Sequence, residues 1–195
     1  VQTDLDAFLS TMRLLGEKRG PLVLQFPYFN QQVFPSAELF FERLDAFLGA
    51  LPDDFRYAVE LRNKSWYGPA YLDVLRKHGV ACVLVDLAYL PHPASLARRM
   101  DLLTADFTYC RLIGDRAAVD RRTKTFDRVV LDQSKRLGRW AELLRDVLEK
   151  AQDVYVYANN HYAGHGPATI EELAARVEGR EYRAPESGTT PGLFD

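Results

Sequence analysis

The sequence lacks the features that mark membrane, secreted and disulfide-rich proteins. Its 195 residues include only two cysteines, Cys82 and Cys110, and each lies in an apolar run that favours a buried thiol in a reducing compartment. No apolar stretch reaches the roughly 18 residues that a membrane-spanning helix needs. The N-terminus, VQTDLDAFLS, is acidic and does not resemble the basic start of a signal peptide. These absences predict a cytoplasmic protein that does not bind membranes.

The sequence also lacks a marked excess of charge and the common cofactor motifs. The net charge is −2 and the isoelectric point is about 6.1, so the chain as a whole lacks the excess of basic residues that is typical of nucleic-acid-binding proteins. No paired-cysteine motif is present, and no GxGxxG motif follows the first apolar run. Neither a metal site nor a bound cofactor is therefore predicted.

What the sequence does contain is a regular alternation of amphipathic and apolar segments. Helical spacing predicts helices near 4–19, 37–50, 69–79, 133–151 and 167–177, with a short helix within 88–106. Apolar runs predict strands at 22–26, 56–61, 81–87, 107–114 and 153–158. This order predicts an α/β fold with a parallel sheet, in a single domain at 1–179 followed by a flexible tail at 180–195. A Rossmann-type open sheet and a barrel both fit it.

Each predicted strand stays apolar until its C-terminal end, where a polar side chain follows. These polar residues are Gln25, Glu60 with Arg62, Asp86, Arg111, and Asn159 with Asn160. The C-terminal ends of parallel strands are where such folds bind their ligands, so the pattern predicts a site for a small polar or anionic ligand. The alternative is a buried network in which the acids and the arginines neutralise one another.

A second candidate site lies in HYAGHGPAT, residues 161–169, between the last strand and the last helix. Gly164 and Gly166 would leave backbone N–H groups open at the start of that helix, an arrangement that favours anions. The alternative is that Gly166 and the proline after it simply begin the helix. The basic loop at 114–132 is either a binding lid or an ordinary solvated loop. His161 lies within the strand-end cluster and is a candidate catalytic residue.

Four segments together resemble those of a known family. They are GPLVLQFP (20–27), AVELRNKSW (58–66), TADFTYCRLIGD (104–115) and VYVYANNHYAGHGPAT (154–169). In this order and spacing they are similar to the YecE-like family, also called domain of unknown function 72. The resemblance implies a TIM-type (β/α) barrel with a polar mouth and no established reaction. The positions that match the family motifs include Gln25, Glu60, Arg62, Trp66, Arg111, Asn159, Asn160 and Gly164.

The chain departs from this family in its number of strands and at one position. A closed barrel of this type has eight strands, whereas the sequence predicts five, which resemble strands four to eight of an N-terminally truncated member. Ile113 stands where many members carry His. Such a piece would have two open strand edges, so self-association through these edges is expected.

The strand-end residues suggest an enzyme acting on a sugar or a phosphate-bearing ligand, as a hydrolase or an isomerase. Glu60 and Asp86 end neighbouring strands, so they are expected to lie close together as a general acid and a general base. Arg62 and Arg111 would neutralise substrate charge. The remaining candidate ligand-binding residues are Gln25, Trp66, Asn159, Asn160 and Gly164. The alternatives are a nucleic-acid or phosphate-binding module without catalysis, and a truncated barrel without activity.

Overall fold

The structure, a computed structural model, describes residues 2–182 of the chain. Most of the predicted tail at 180–195 therefore lies outside the described residues. Within 2–182 the strands are Leu22–Gln25 (β1), Tyr57–Glu60 (β2), Ala81–Leu87 (β3), Phe107–Gly114 (β4) and Asp153–Ala158 (β5). The α-helices of the same part are Gln2–Arg13 (α1), Ala37–Gly49 (α2), Pro69–Lys77 (α3), Pro93–Ala97 (α4), Arg116–Asp120 (α5), Ser134–Leu148 (α6) and Gly166–Glu178 (α7). Short 3₁₀ helices lie at Gly16–Lys18, Lys64–Trp66 and Asn160–Tyr162.

The strands form one parallel sheet in chain order, β1 to β5. The predicted α/β fold with a parallel sheet is thereby confirmed. Because every strand runs the same way, all the strand C-termini lie at one edge of the sheet. The polar residues that end the strands consequently lie at that edge, on one face of the sheet or the other.

The sheet has two unlike faces, which we call the covered face and the open face. On the covered face a large core joins alternate strand residues, such as Val59 and Leu84, to helical residues such as Leu72 and Trp140. The open face carries the other strand residues, including Ala58 and Val83, and its smaller apolar cluster contains no helical residue among those described. Side chains alternate along a strand, so each strand contributes to both faces.

The ends of α2 and α3 follow their sequence signals, whereas α1 ends at Arg13 and a short 3₁₀ helix, Gly16–Lys18, follows within the predicted range 4–19. Ser36 caps α2 by accepting a hydrogen bond from the Leu39 N–H at 3.4 Å, as N-cap serines do. Pro69 occupies the first turn of α3, and Gly79 follows that helix with a φ of 61°. The short α5 was not predicted, because its five residues include only one buried apolar side chain, Val119. The segment that the sequence suggested as a basic loop therefore begins with a helix.

No helix in the described part of the chain is both long and apolar enough to cross a membrane.

Candidate functional site

Four polar side chains meet on the open face at the C-terminal edge of the sheet. Gln25 ends β1 and lies in register with Glu60, which ends β2. Arg62 follows two residues later, and Arg111 belongs to β4. These residues share the parity of Val23, Ala58 and Tyr109, which belong to or pack against the open-face cluster. We call Gln25, Glu60, Arg62 and Arg111 the Glu60 cluster.

The contacts of the Glu60 cluster centre on one carboxylate. Arg111 Nη1 donates to Glu60 Oε2 at 2.5 Å, and Arg62 Nη2 lies 2.5 Å from Glu60 Oε1. The angles of the second contact fall short of a hydrogen bond, so it is an ion pair only. Gln25 Oε1 accepts from both guanidinium groups, at 3.2 Å from Arg62 Nη2 and 3.1 Å from Arg111 Nη1. The two arginines are therefore held beside each other.

Burial differs sharply among these charges. The Glu60 side chain is 0% exposed, whereas the side chains of Arg62 and Arg111 are 15% and 31% exposed. A carboxylate can be buried in this way because two cations compensate its lost hydration. The cluster as a whole carries one negative and two positive charges, so it retains a net charge of +1 that faces the open side.

Arg111 reaches Glu60 across a complete strand. β3 lies between β2 and β4 in the sheet, and Val85 of β3 is in register with Arg111. Val83 and Val85 are the open-face residues of β3 beside this path, and both are short and buried. Their small side chains leave room for the long arginine side chain to pass over the strand. The same path keeps Arg111 extended along the open face.

Asp86 does not belong to the Glu60 cluster, because it faces the covered side of the sheet. Its side chain accepts hydrogen bonds from Trp140 Nε1 and Tyr162 Oη, each at 2.9 Å, and pairs with Arg136 of α6. Glu60 and Asp86 therefore lie on opposite faces, and the prediction of a paired acid and base was wrong. Because all seven residues of β3 are buried, an alternation of apolar and polar side chains could not show which face each of them occupies.

The surroundings of Asp86 shift the pKa values of several groups. Burial acts to raise the pKa of Asp86, but the hydrogen bond and charge of Arg136 outweigh it, and the pKa lies below its usual value. Burial lowers the pKa of His92 to about 4, although its Nε2 lies 3.5 Å from Asp86 Oδ2. Burial also raises the pKa of Tyr162. These groups form a buried ionic network between β3 and α6. The sequence analysis did not single out Arg136. The available signal was its position four residues before Trp140, which places both side chains on the same face of α6.

Trp66 does not belong to the Glu60 cluster, and it packs in an aromatic group that adjoins the core of the covered face. Its ring is 5.0 Å from the centroid of Phe40 and 6.2 Å from those of Phe29 and Phe41. Phe40 is buried in the large core, and Trp66 packs against it. Because its ring packs against these neighbours, the structure gives Trp66 a packing role, and its predicted ligand contact stays a prediction.

Asn159 and His161 form a separate polar group beyond β5. Asn159 Oδ1 accepts from the His161 backbone N–H and also lies 2.9 Å from His161 Nδ1. His161 Nε2 is 3.2 Å from Asp120 Oδ1, and the Phe126 ring packs edge-on against the imidazole at 4.8 Å. The histidine thus has a partner at each ring nitrogen. Its predicted catalytic role stays a prediction.

Asn160 and Gly164 organise the start of α7. Asn160 Oδ1 accepts from the Gly166 N–H at 2.7 Å, and His165 Nδ1 accepts from the Ala168 N–H at 3.4 Å. The Gly164 N–H donates to the Asn160 carbonyl oxygen at 2.7 Å, so the N–H groups of Gly164 and Gly166, which were expected to attract an anion, are already bonded within the protein. Gly164 has a φ of 114°, and a Cβ there would lie 2.6 Å from the Arg128 carbonyl oxygen. A glycine at this position therefore allows the segment before α7 to pass close to the loop that contains Arg128.

Metal-binding and nucleophilic groups are not gathered in the described part of the chain. No three His, Cys, Asp or Glu side chains there are arranged to hold a metal ion. His161 and His165 are four residues apart, but His161 lies in the 3₁₀ helix before α7, His165 caps α7, and the two bond to different partners. Cys82 and Cys110 are both buried and unpaired, and burial raises the pKa of the Cys82 thiol to about 12.

Comparison with known proteins gives a family but no reaction. A family model described as "Protein of unknown function DUF72" matches residues 1–191. A crystal structure of a DUF72 family protein from Thermotoga maritima superposes with a TM-score of 0.66 at 22% identity, over 90% of this chain and 65% of that one. A DUF72 family protein from Enterococcus faecalis gives a TM-score of 0.60 at 20% identity, over 91% of this chain and 66% of that one. The chain thus spans slightly less than two thirds of these relatives. No curated protein matches it.

Proposed function

Since this chain belongs to the DUF72 family, whose function is unknown, we propose a function from its own geometry: the Glu60 cluster binds a small anionic ligand. The ligand is a phosphate- or carboxylate-bearing molecule held at the C-terminal edge of the sheet. Arg62 and Arg111 are its main contacts, and Gln25 holds the two guanidinium groups in place.

The observation that carries this proposal is the surplus of cationic donors around one buried carboxylate. Arg111 uses a single nitrogen, Nη1, for both of its contacts, so its Nε and Nη2 have no acceptor among the described residues. Arg62 Nε is buried and equally without a partner in that part of the chain. A donor without an acceptor is costly where it is buried, as Arg62 Nε is, and an oxyanion beside the two partly exposed guanidinium groups would form charge-assisted hydrogen bonds with them.

Glu60 has a supporting part in this arrangement. Both of its oxygens face a guanidinium group, and the side chain is fully buried. It holds the two arginine side chains in place and lowers the net charge of the cluster from +2 to about +1. A proton-transfer role paired with Asp86 is not part of the proposal, because the sheet separates the two carboxylates.

We also propose that the sheet is strands four to eight of a (β/α)₈ barrel. The strands are parallel, their order follows the chain, and helices cover only one face, as in such a barrel. Coverage of 65% of the Thermotoga protein is close to five eighths of a chain built from equal units. In that arrangement the Glu60 cluster lies at the mouth, where barrels of this type bind ligands.

The test is calorimetric titration of the chain with inorganic phosphate at constant ionic strength. Arg111→Gln should lower the phosphate affinity about tenfold or more, because it removes the charge-assisted hydrogen bonds of the guanidinium group. Arg111→Lys keeps the charge without the paired donors, so it should retain only part of the affinity. The matched control is Arg116→Gln, since Arg116 lies shortly after β4, in α5, and pairs with Asp120. Absence of phosphate binding, or an equal loss in the control, would refute the proposal. Thermal unfolding of each variant checks that it is folded.

A further inference from the structure

A row of aromatic rings lies on the open face beside the Glu60 cluster. Tyr109 of β4 stacks on Tyr157 of β5 with ring centroids 5.1 Å apart and planes 24° apart. Tyr109 also stacks on Tyr155, at 6.2 Å and 24°, and Phe107 meets the edge of Tyr155. Tyr157 is the outermost ring of this row and is 52% exposed. Its plane is thus set from one side while much of the ring remains open.

Tyr157 stands next to the more exposed arginine of the cluster. Tyr157 and Arg111 are paired in register across β4 and β5, so their side chains leave the sheet on the same face. Neighbouring strands are about 4.8 Å apart, which places the base of the ring beside the base of the arginine. Tyr157 is also the last open-face residue of β5, at the edge where Arg62 and Gln25 lie. The Arg111 side chain runs from there over β3 toward Glu60, so a ligand held by its guanidinium group reaches this ring by extending back over β4.

Two amide groups add donors around the same edge. Gln25 uses its Oε1 for the arginines, and Asn159 uses its Oδ1 for His161. The NH₂ group of each amide has no acceptor among the described residues, and both side chains are exposed. Such groups are suited to hydroxyl oxygens, which are distributed around the ring of a sugar.

We propose that Tyr157 forms a ring subsite, so that the ligand of the Glu60 cluster is an anionic monosaccharide. The acidic group binds Arg111 and Arg62, and one C–H face of the sugar ring packs on Tyr157. The hydroxyl groups accept from the amides of Gln25 and Asn159. This inference rests on the proposed anion site, and it adds the class of molecule that the anion belongs to. Recognition by an aromatic face combined with a few placed polar groups is the usual composition of small-ligand sites.

The experiment compares inorganic phosphate, glucose 6-phosphate, glucuronate and adenosine monophosphate as probes of the same chain. By calorimetry, glucose 6-phosphate should bind about three- to tenfold more tightly than inorganic phosphate, the range that an aromatic contact supplies. Tyr157→Ala should remove this advantage and leave phosphate affinity unchanged, whereas Tyr157→Phe should keep it. Tyr28→Ala is the control, because Tyr28 is also exposed, at 66%, and lies outside the row of rings. If glucuronate binds and Tyr157→Ala weakens its binding as well, the ligand class includes sugar acids in addition to sugar phosphates.

The outcomes separate this inference from the proposal beneath it. If phosphate binds and the sugar phosphate gains nothing, the ring subsite is refuted and the anion site stands. If adenosine monophosphate binds more tightly than both and depends on Tyr157, the sugar assignment is refuted in favour of a planar base. If no probe binds, or if the probes bind and Arg111→Gln leaves their affinities unchanged, the anion site itself is refuted. A loss of phosphate affinity in Tyr157→Ala would also contradict the inference, since the ring would then support the arginine.

Discussion

Arg111 of β4 and Glu60 of β2 are joined by a 2.5 Å hydrogen bond that crosses the intervening strand β3. The pair ties together strands that share no backbone hydrogen bond. It also fixes the guanidinium group that the proposed ligand meets first. The contact is therefore part of both the stability of the sheet edge and the binding site.

Replacing Glu60 by Gln tests how strongly the sheet edge depends on this carboxylate. The change leaves two guanidinium groups without their counter-charge near a fully buried position. Removing one partner of a buried ion pair costs about 3 to 5 kcal/mol, and we expect the free energy of unfolding in urea to fall by about 3 kcal/mol. Glu142→Gln on the exposed side of α6 is the control and should change it by less than about 0.5 kcal/mol. Equal effects of the two changes would contradict this account.

The buried histidine near Asp86 predicts a particular dependence of stability on pH. The pKa of His92 falls from 6.5 to about 4 on folding. Below pH 6.5 the unfolded chain therefore binds a proton that the folded protein does not accept until about pH 4, and stability falls as the pH drops through this window. Between pH 7 and pH 5 this group should lower the free energy of unfolding by about 2 kcal/mol.

His92→Asn separates this effect from the other titrating groups. His92 also caps α4, because its Nδ1 accepts from the Ala94 N–H at 3.2 Å, and asparagine preserves an N-cap acceptor without titrating. Urea unfolding of the variant at pH 7 and pH 5 should show a loss smaller by about 2 kcal/mol than that of the unchanged protein. An unchanged difference between the two pH values would show that His92 does not titrate in this window.

Gly164 provides a test of the close approach between the loop before α6 and the start of α7. A Cβ there would lie 2.6 Å from Arg128 O and 2.7 Å from Val130 Cγ2, with a φ that side chains rarely adopt. Gly164→Ala should therefore lower the free energy of unfolding by at least about 2 kcal/mol. Gly138 within α6 has nothing within 4 Å of its Cβ position, so Gly138→Ala should raise stability by about 0.5 to 1 kcal/mol. Two changes of the same sign would contradict this prediction.

Self-association is expected from the ends of the sheet. β1 and β5 each have one hydrogen-bonded neighbour in the described part of the chain, and unpaired edges are templates for pairing between chains. We expect a second copy to add to such an edge, so that light scattering reports a mass that grows with concentration. Val23→Lys puts a charge on the open face of β1 and should reduce this growth. Val33→Lys, at a 55% exposed loop position, is the matched control. A constant monomer mass across concentrations would contradict the expectation.

The fold was predictable from the sequence because its signals are local. Apolar β-branched runs and amphipathic spacing fix most strands and helices, and β3, β4 and β5 occupy the predicted ranges. The site was predictable only in part. Alternation shows that Glu60 and Arg62 share a face, but it does not show which face of β3 carries Asp86, since that strand is buried on both sides. The face on which Asp86 lies depends on the helix that packs against β3. In the structure Asp86 contacts Trp140 and Arg136 of α6, on the covered face.

The path of Arg111 over β3 also determines when the site can exist during folding. Its bond to Gln25 joins residues 86 positions apart, and its bond to Glu60 joins residues 51 positions apart. Contacts of such long sequence separation form only after the loop-closure entropy of the whole intervening chain has been overcome. A nascent chain that ends before β4 therefore holds a carboxylate and one arginine without the second, and it offers the anion no pair of cations. Ligand affinity would then report completed sheet assembly, and a ligand in excess would favour that assembly by mass action.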